Sequence, residues 1–189
     1  MCKRVDILDL AQYAWGMKGE VYALCLGSTA GSAALACALL GWRVVGCVED
    51  DAESAAVVEG RVRDGCLADA WVFCGSVGEF VRGGFAGEFA RLGKQLAVVA
   101  CGFGGDGLEE RGADIFDAIC AVGPGIVVLE GDEDGGWREL ACGRLADLGF
   151  DSEGDCVPAA ACGSPQTGLR SWVIGVRAAD GSAGSDVAA

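Results

Sequence analysis

Val21-Tyr22-Ala23-Leu24-Cys25-Leu26-Gly27-Ser28-Thr29-Ala30-Gly31-Ser32 is a short apolar run that breaks into a glycine-rich turn. The next two segments set the architecture. Residues 30–40 have helical composition and stop at Gly41, and residues 43–48 are rich in β-branched side chains and end at Glu49, Asp50 and Asp51. An apolar strand, a glycine turn, a helix and a second apolar strand make a βαβ unit, whose two strands must lie parallel.

The same alternation continues outward. Residues 52–63 read as a helix, 70–74 as a short strand, and 77–92 as a helix weakened by Gly83 and Gly84. Residues 95–101 read as a strand, 114–121 as a helix stopped by Gly123 and Pro124, 125–129 as a strand, and 137–148 as a helix ended by Gly149. Residues 156–162 and 171–176 suit a final antiparallel pair. The expected fold is α/β: a mostly parallel sheet with helices on both faces and an antiparallel strand pair at the carboxyl end. Ligands of such sheets sit at the carboxyl ends of the strands, where strand order switches.

Residues 1–20 form an N-terminal extension in which Val5, Ile7, Leu8, Leu10 and Ala14 suit one amphipathic helix packing on the sheet. Residues 21–177 form the domain, and the small, polar residues 178–189 read as a flexible tail. There is no repeat, and no linker is long enough to divide the chain.

Composition narrows the partners. Net charge is -14, from 28 acids against 14 bases. The bases are scattered, with Arg61 and Arg63 the densest local pair, so nucleic acid is disfavoured as a partner. No apolar run reaches membrane-span length, and acids interrupt the first residues before any secretory pattern forms. There are 11 cysteines and no histidine. The odd count, the irregular spacing and the apolar settings of Cys25, Cys47, Cys101 and Cys120 indicate reduced core thiols in a reducing compartment, with the organelle left open. No C-x-x-C pair occurs, so no metal site is expected.

Three segments, in order, resemble the cytosine-5 DNA methyltransferase family over roughly residues 24–177. The first is the glycine turn after residues 21–26, followed by Val44-Val45-Gly46-Cys47-Val48-Glu49. The resemblance implies a Rossmann-like methyltransferase fold. It also implies that S-adenosylmethionine, if it binds, does so at Gly31 and Ser32, with Glu49 accepting from the ribose hydroxyls. Thr29 and Ser32 replace two turn glycines of the family, and Gly75 or Ser76 stands where an acid would contact the adenine.

The second segment is Ala100-Cys101-Gly102-Phe103-Gly104-Gly105-Asp106, against a family pattern of Gly-Gly-Phe-Pro-Cys-Gln. Gly104 and Gly105 stand in place of the proline and the catalytic cysteine. That chemistry needs a thiolate to add to carbon 6 of the flipped base, and glycine cannot supply one. Cys101, four residues earlier on a buried strand, reads as a core thiol. The third segment is the strand ending at Glu130-Gly131, together with Gly163-Ser164-Pro165-Gln166-Thr167-Gly168-Leu169-Arg170. By resemblance, Glu130 and Arg170 are relict contacts to the base. A counterpart of the family's target-recognition region is not expected within these 189 residues.

The resemblance, with these departures from it, implies a degenerate methyltransferase-like protein kept as a scaffold, structural or protein-interaction subunit, and a protein partner or assembly is the expectation. Trp42, Trp71, Trp137 and Trp172 are candidates for either contacts or core. The alternative is an S-adenosylmethionine-dependent methyltransferase with altered activity, using Asp106 or Glu130 as a general base. A third reading takes the acids Asp132, Glu133 and Asp134, and Asp50, Asp51 and Glu53, as a mimic of DNA.

Overall fold

The computed structural model describes residues 20–28, 30–67, 69–103, 108–132, 136–165 and 168–177. The expected N-terminal helix, the expected tail, and Gly104, Gly105 and Asp106 lie outside them. Seven strands form one sheet: β1 (Tyr22–Leu26), β2 (Arg43–Glu49), β3 (Trp71–Cys74), β4 (Leu96–Phe103), β5 (Ile126–Gly131), β6 (Phe150–Pro158) and β7 (Leu169–Arg177). Their order is β3-β2-β1-β4-β5-β7-β6. The first five run parallel, and β7 lies antiparallel to both β5 and β6. Six helices connect them: α1 (Ser32–Leu39), α2 (Ala52–Arg63), α3 (Val77–Arg82), α4 (Ala86–Ala90), α5 (Leu108–Val122) and α6 (Trp137–Asp147).

Successive strand residues point to opposite faces, so each buried strand feeds two cores. On one face Ala23, Cys25, Cys47, Val99 and Cys101 meet Ala33, Ala34 and Cys37 of α1 and Val58 of α2. Small residues on both sides let those helices approach the sheet closely. On the other face Leu24, Leu26, Val98, Ala100, Val127 and Leu129 meet Phe80, Phe89, Ile115, Ile119, Trp137 and Leu145 of α3 to α6. Gly46 admits this second packing, because a methyl group there would stand 2.9 Å from both Leu24 Cδ1 and Phe89 Cζ.

Local chemistry fixes the helix starts. Asp51 accepts from the Ser54 amide at 2.7 Å, and Ser76 and Glu79 form a reciprocal capping box. These hydrogen bonds hold the carboxyls of Asp51 and Glu79 below the usual carboxylate range.

The structure moves three expected boundaries. The strand expected at 156–162 is β6, Phe150–Pro158, and Ala159–Cys162 is a 3-10 turn closed by Gly163 at φ 79°. Asp151, Glu153 and Asp155 hid this strand. It lies at the sheet edge, where charged side chains are tolerated and discourage further pairing. The helix expected over 77–92 is divided into α3 and α4 by the turn at Gly83, Gly84 and Phe85. The helix expected at 114–121 begins six residues earlier, as α5.

The tryptophans differ in burial. Trp137 is core at 2% exposure and donates Nε1–H to the Asp132 carbonyl, whereas Trp71 is 40% exposed. Trp42 and Trp172 are half-buried.

Candidate functional site

Strand order reverses between β1 and β4, and the crevice outside their carboxyl ends is where a doubly wound sheet binds ligands. The carboxyl ends of β2, β1, β4 and β5 lie side by side there. Gly27 leaves β1 at φ 63° and donates its amide to the Val48 carbonyl at 2.7 Å. Gly31 opens α1 at φ 80°; a methyl group there would crowd Val58 Cγ2 at 3.0 Å. Glycine suits that position on both counts. Arg61 Nη1 donates to the Gly31 carbonyl at 3.1 Å and pins the turn from α2. Ser32 donates its hydroxyl to the Ser28 carbonyl at 2.8 Å, so its side chain braces the turn.

Glu49 ends β2 at only 1% exposure. Ser28 Oγ donates to its Oε1 at 2.6 Å. Desolvating a carboxylate costs several kcal/mol unless polar partners compensate, and a strand end needs no acid. Gly31, Ser32 and Glu49 thus fall within one turn-and-strand-end cluster.

A second cluster lies at the carboxyl end of β5. Arg170 Nε stands 3.5 Å from Glu130 Oε1, and its Nη1 pairs with Asp132 Oδ1. The antiparallel register of β5 and β7 brings together Glu130 and Arg170, which lie far apart in the chain. Cys101 is the register partner of Glu130 on β4. Burial, followed by the neighbouring Glu130 carboxylate, pushes the Cys101 thiol well above the usual thiol range. Burial at 7% exposure and this upward shift both disfavour the thiolate that a nucleophile needs.

Of the acids read as charge clusters, Asp51 caps α2, Asp50 pairs with Arg111 and Asp132 pairs with Arg170. Glu133 and Asp134 lie outside the described residues.

Arg111 and Ser28 are site residues that the sequence pattern did not single out. Arg111 Nη2 pairs with Asp50 Oδ2 at 3.3 Å, and its guanidinium lies over Gly27 and Gly102. One signal could have found it. Arg111 precedes the core residues Ile115 and Ile119 at helical spacing, so it is a base on the sheet-facing stripe of α5.

The ten described cysteines are all free, and Cys120, expected in the core from its apolar setting, is instead exposed, because it falls on the solvent side of α5 between the buried Ile119 and Val122. Cys25, Cys37 and Cys47 cluster in the core, where hydrogen bonds among them, and then burial, push the Cys25 thiol well above its usual range. Among the described residues no group of His, Cys, Asp or Glu is placed to hold a metal ion. A reactivity order follows from exposure. Cys66, Cys74, Cys120 and Cys162 should alkylate in the native protein, while Cys25, Cys37, Cys47 and Cys101 should react only after denaturation, as read by peptide mass mapping. Native labelling of Cys25 would contradict this core.

The fold is shared with known structures. The S. pombe Dnmt2 methyltransferase superimposes with a TM-score of 0.66 at 12% identity, covering 84% of this chain and 49% of that one. A SAM-dependent methyltransferase from Agrobacterium tumefaciens gives 0.63 at 13% identity, covering 89% and 60%. The precorrin-6y C5,15-methyltransferase from Geobacter metallireducens GS-15 gives 0.59 at 14% identity, covering 89% and 86%. The fold is that of the Rossmann-like methyltransferases.

At such identities the likeness establishes architecture and not reaction. The chain spans about half the length of the Dnmt2 structures it matches. No protein-family model matches the sequence, and no curated protein does. Among the described residues no helix is long and apolar enough to cross a membrane.

Proposed function

We propose that this chain binds S-adenosylmethionine, or its demethylated product, as a methyltransferase-type domain whose chemistry does not run through a thiolate adduct on cytosine. One observation carries the reading: the Glu49 carboxylate, buried at the end of β2 and held by Ser28, beside the glycine turn at the switch point. A carboxylate retained there at a desolvation cost suits a pair of ribose hydroxyls. The residues present fit the group in part. Gly27 and Gly31 give the close backbone approach and Glu49 the acceptor, while the Arg111 guanidinium shares the same space.

When bound, the cofactor supplies an electrophilic methyl group. The chain's own contribution is to hold the adenosyl moiety at Glu49 and to present the Glu130 carboxylate, oriented by Arg170, as a proton acceptor at the neighbouring strand end. The half-buried position of Glu130 suits a substrate reached from the crevice.

A second reading, a scaffold that binds no cofactor and serves a protein partner, draws support from Arg111 lying over Gly27 and from the glycines at 104 and 105. Calorimetry separates the two. With S-adenosylhomocysteine as titrant, the wild-type protein should bind. Glu49→Ala should weaken binding by at least about tenfold, as expected for hydrogen bonds to a charged acceptor. Circular dichroism would confirm that the variant is folded. Absence of binding to wild type at millimolar ligand would leave the scaffold reading in its place.

A further inference from the structure

We infer that Arg111 and Asp50 form a latch across the switch-point crevice, and that an adenosyl ligand enters only when their ion pair opens. The inference rests on the cofactor reading above and assigns that site its regulation. A methyl group on Gly27 would stand 2.3 Å from Arg111 Nη2, and one on Gly102 would stand 3.4 Å from Nη1. The guanidinium therefore fills the space over the ends of both β1 and β4, the two strands that flank the switch. A ligand laid on the glycine turn needs that space.

The base of the latch is fixed and its tip is not. Arg111 projects from α5, which Ile115 and Ile119 anchor in the core. Its far end is held at 3.3 Å by Asp50, the residue after Glu49. Ligand capture at Glu49 and release at Asp50 thus occur on adjacent residues. The side chains of Arg111 and Asp50 are 36% and 53% exposed, so water and salt reach the pair and opening is a modest step. Glu49, one residue before Asp50, is 1% exposed in this closed arrangement.

Titration of S-adenosylhomocysteine into wild type, Arg111→Ala and Asp50→Asn tests the latch. Each variant should bind about two- to fivefold more tightly, the span that a half-exposed ion pair can hold closed. Raising salt from about 50 to 500 mM should tighten binding to wild type and leave Arg111→Ala unchanged, because only the wild-type pair is screened. Asp50→Asn keeps Arg111 and its packing, so it serves even where Arg111→Ala folds poorly. Equal affinity in all three proteins would overturn the latch and leave the cofactor reading standing. Weaker binding by Arg111→Ala would make Arg111 a ligand-holding residue instead of a latch. No binding by any of the three would sink both ideas.

Discussion

No covalent adduct is expected when this protein is incubated with S-adenosylmethionine and an oligonucleotide carrying 5-fluorocytosine. Fluorine at carbon 5 blocks the elimination that releases an enzyme thiol, so a cytosine-5 methyltransferase that starts the reaction becomes trapped. Here the sequence offers glycine at 104 and 105, where the resemblance calls for proline and the nucleophile. Cys101, the nearest sulfur in the chain, is 7% exposed on the register partner of β5 and is kept protonated by burial and by Glu130. Losing the nucleophile of an enzyme that works through a covalent intermediate costs on the order of a millionfold in kcat. The expected result on a denaturing gel is therefore free protein and free oligonucleotide at every time point. A shifted band whose adduct maps to a cysteine would overturn this. The experiment is independent of cofactor binding, which can persist without the thiol.

The sheet was legible where its strands are buried on both faces. Residues 21–26 and 43–48 are nearly continuous apolar runs because α1 and α2 cover one side and α3 to α6 the other. β6 was misplaced for the converse reason. At the edge it carries Asp151, Glu153 and Asp155, and its pattern resembles a loop. Glu49 could be read as a site candidate because an acid ending an apolar strand is conspicuous in one dimension. Its burial and the Ser28 hydrogen bond could not be read, since both depend on how the turn folds back.

The Glu130–Arg170 pair is visible in the sequence only through the resemblance. Nothing local links two residues separated by a helix and an edge strand until β7 pairs with β5. Arg111 shows the remaining gap. Its position on the core-facing stripe of α5 is visible in the sequence, but its partner Asp50 and the glycines beneath it come from three other elements.

Phe80→Ala should be among the most damaging single substitutions to stability, lowering ΔG of unfolding by about 3–5 kcal/mol. In a domain of this size each kcal/mol is worth roughly 2–4 °C, so the midpoint should fall by about 6–20 °C. Phe80 is 0% exposed. It packs edge-on to Phe73 at 5.8 Å between ring centroids, and it meets Phe89 at 5.9 Å and Trp71 at 6.2 Å. Its helix has six residues, too few to persist without tertiary contacts, so the capping box at Ser76 and Glu79 depends on this ring for its setting. The cavity left would lie between α3, α4 and the edge strand β3, where rigid rings collapse poorly. Phe85 supplies the internal control. It touches the same cluster, at 5.6 Å from Trp71, yet is 40% exposed, so Phe85→Ala should cost well under half as much. Thermal melts followed by circular dichroism measure both variants. Equal losses would mean that the aromatic group acts as a surface patch and not as the end of the core.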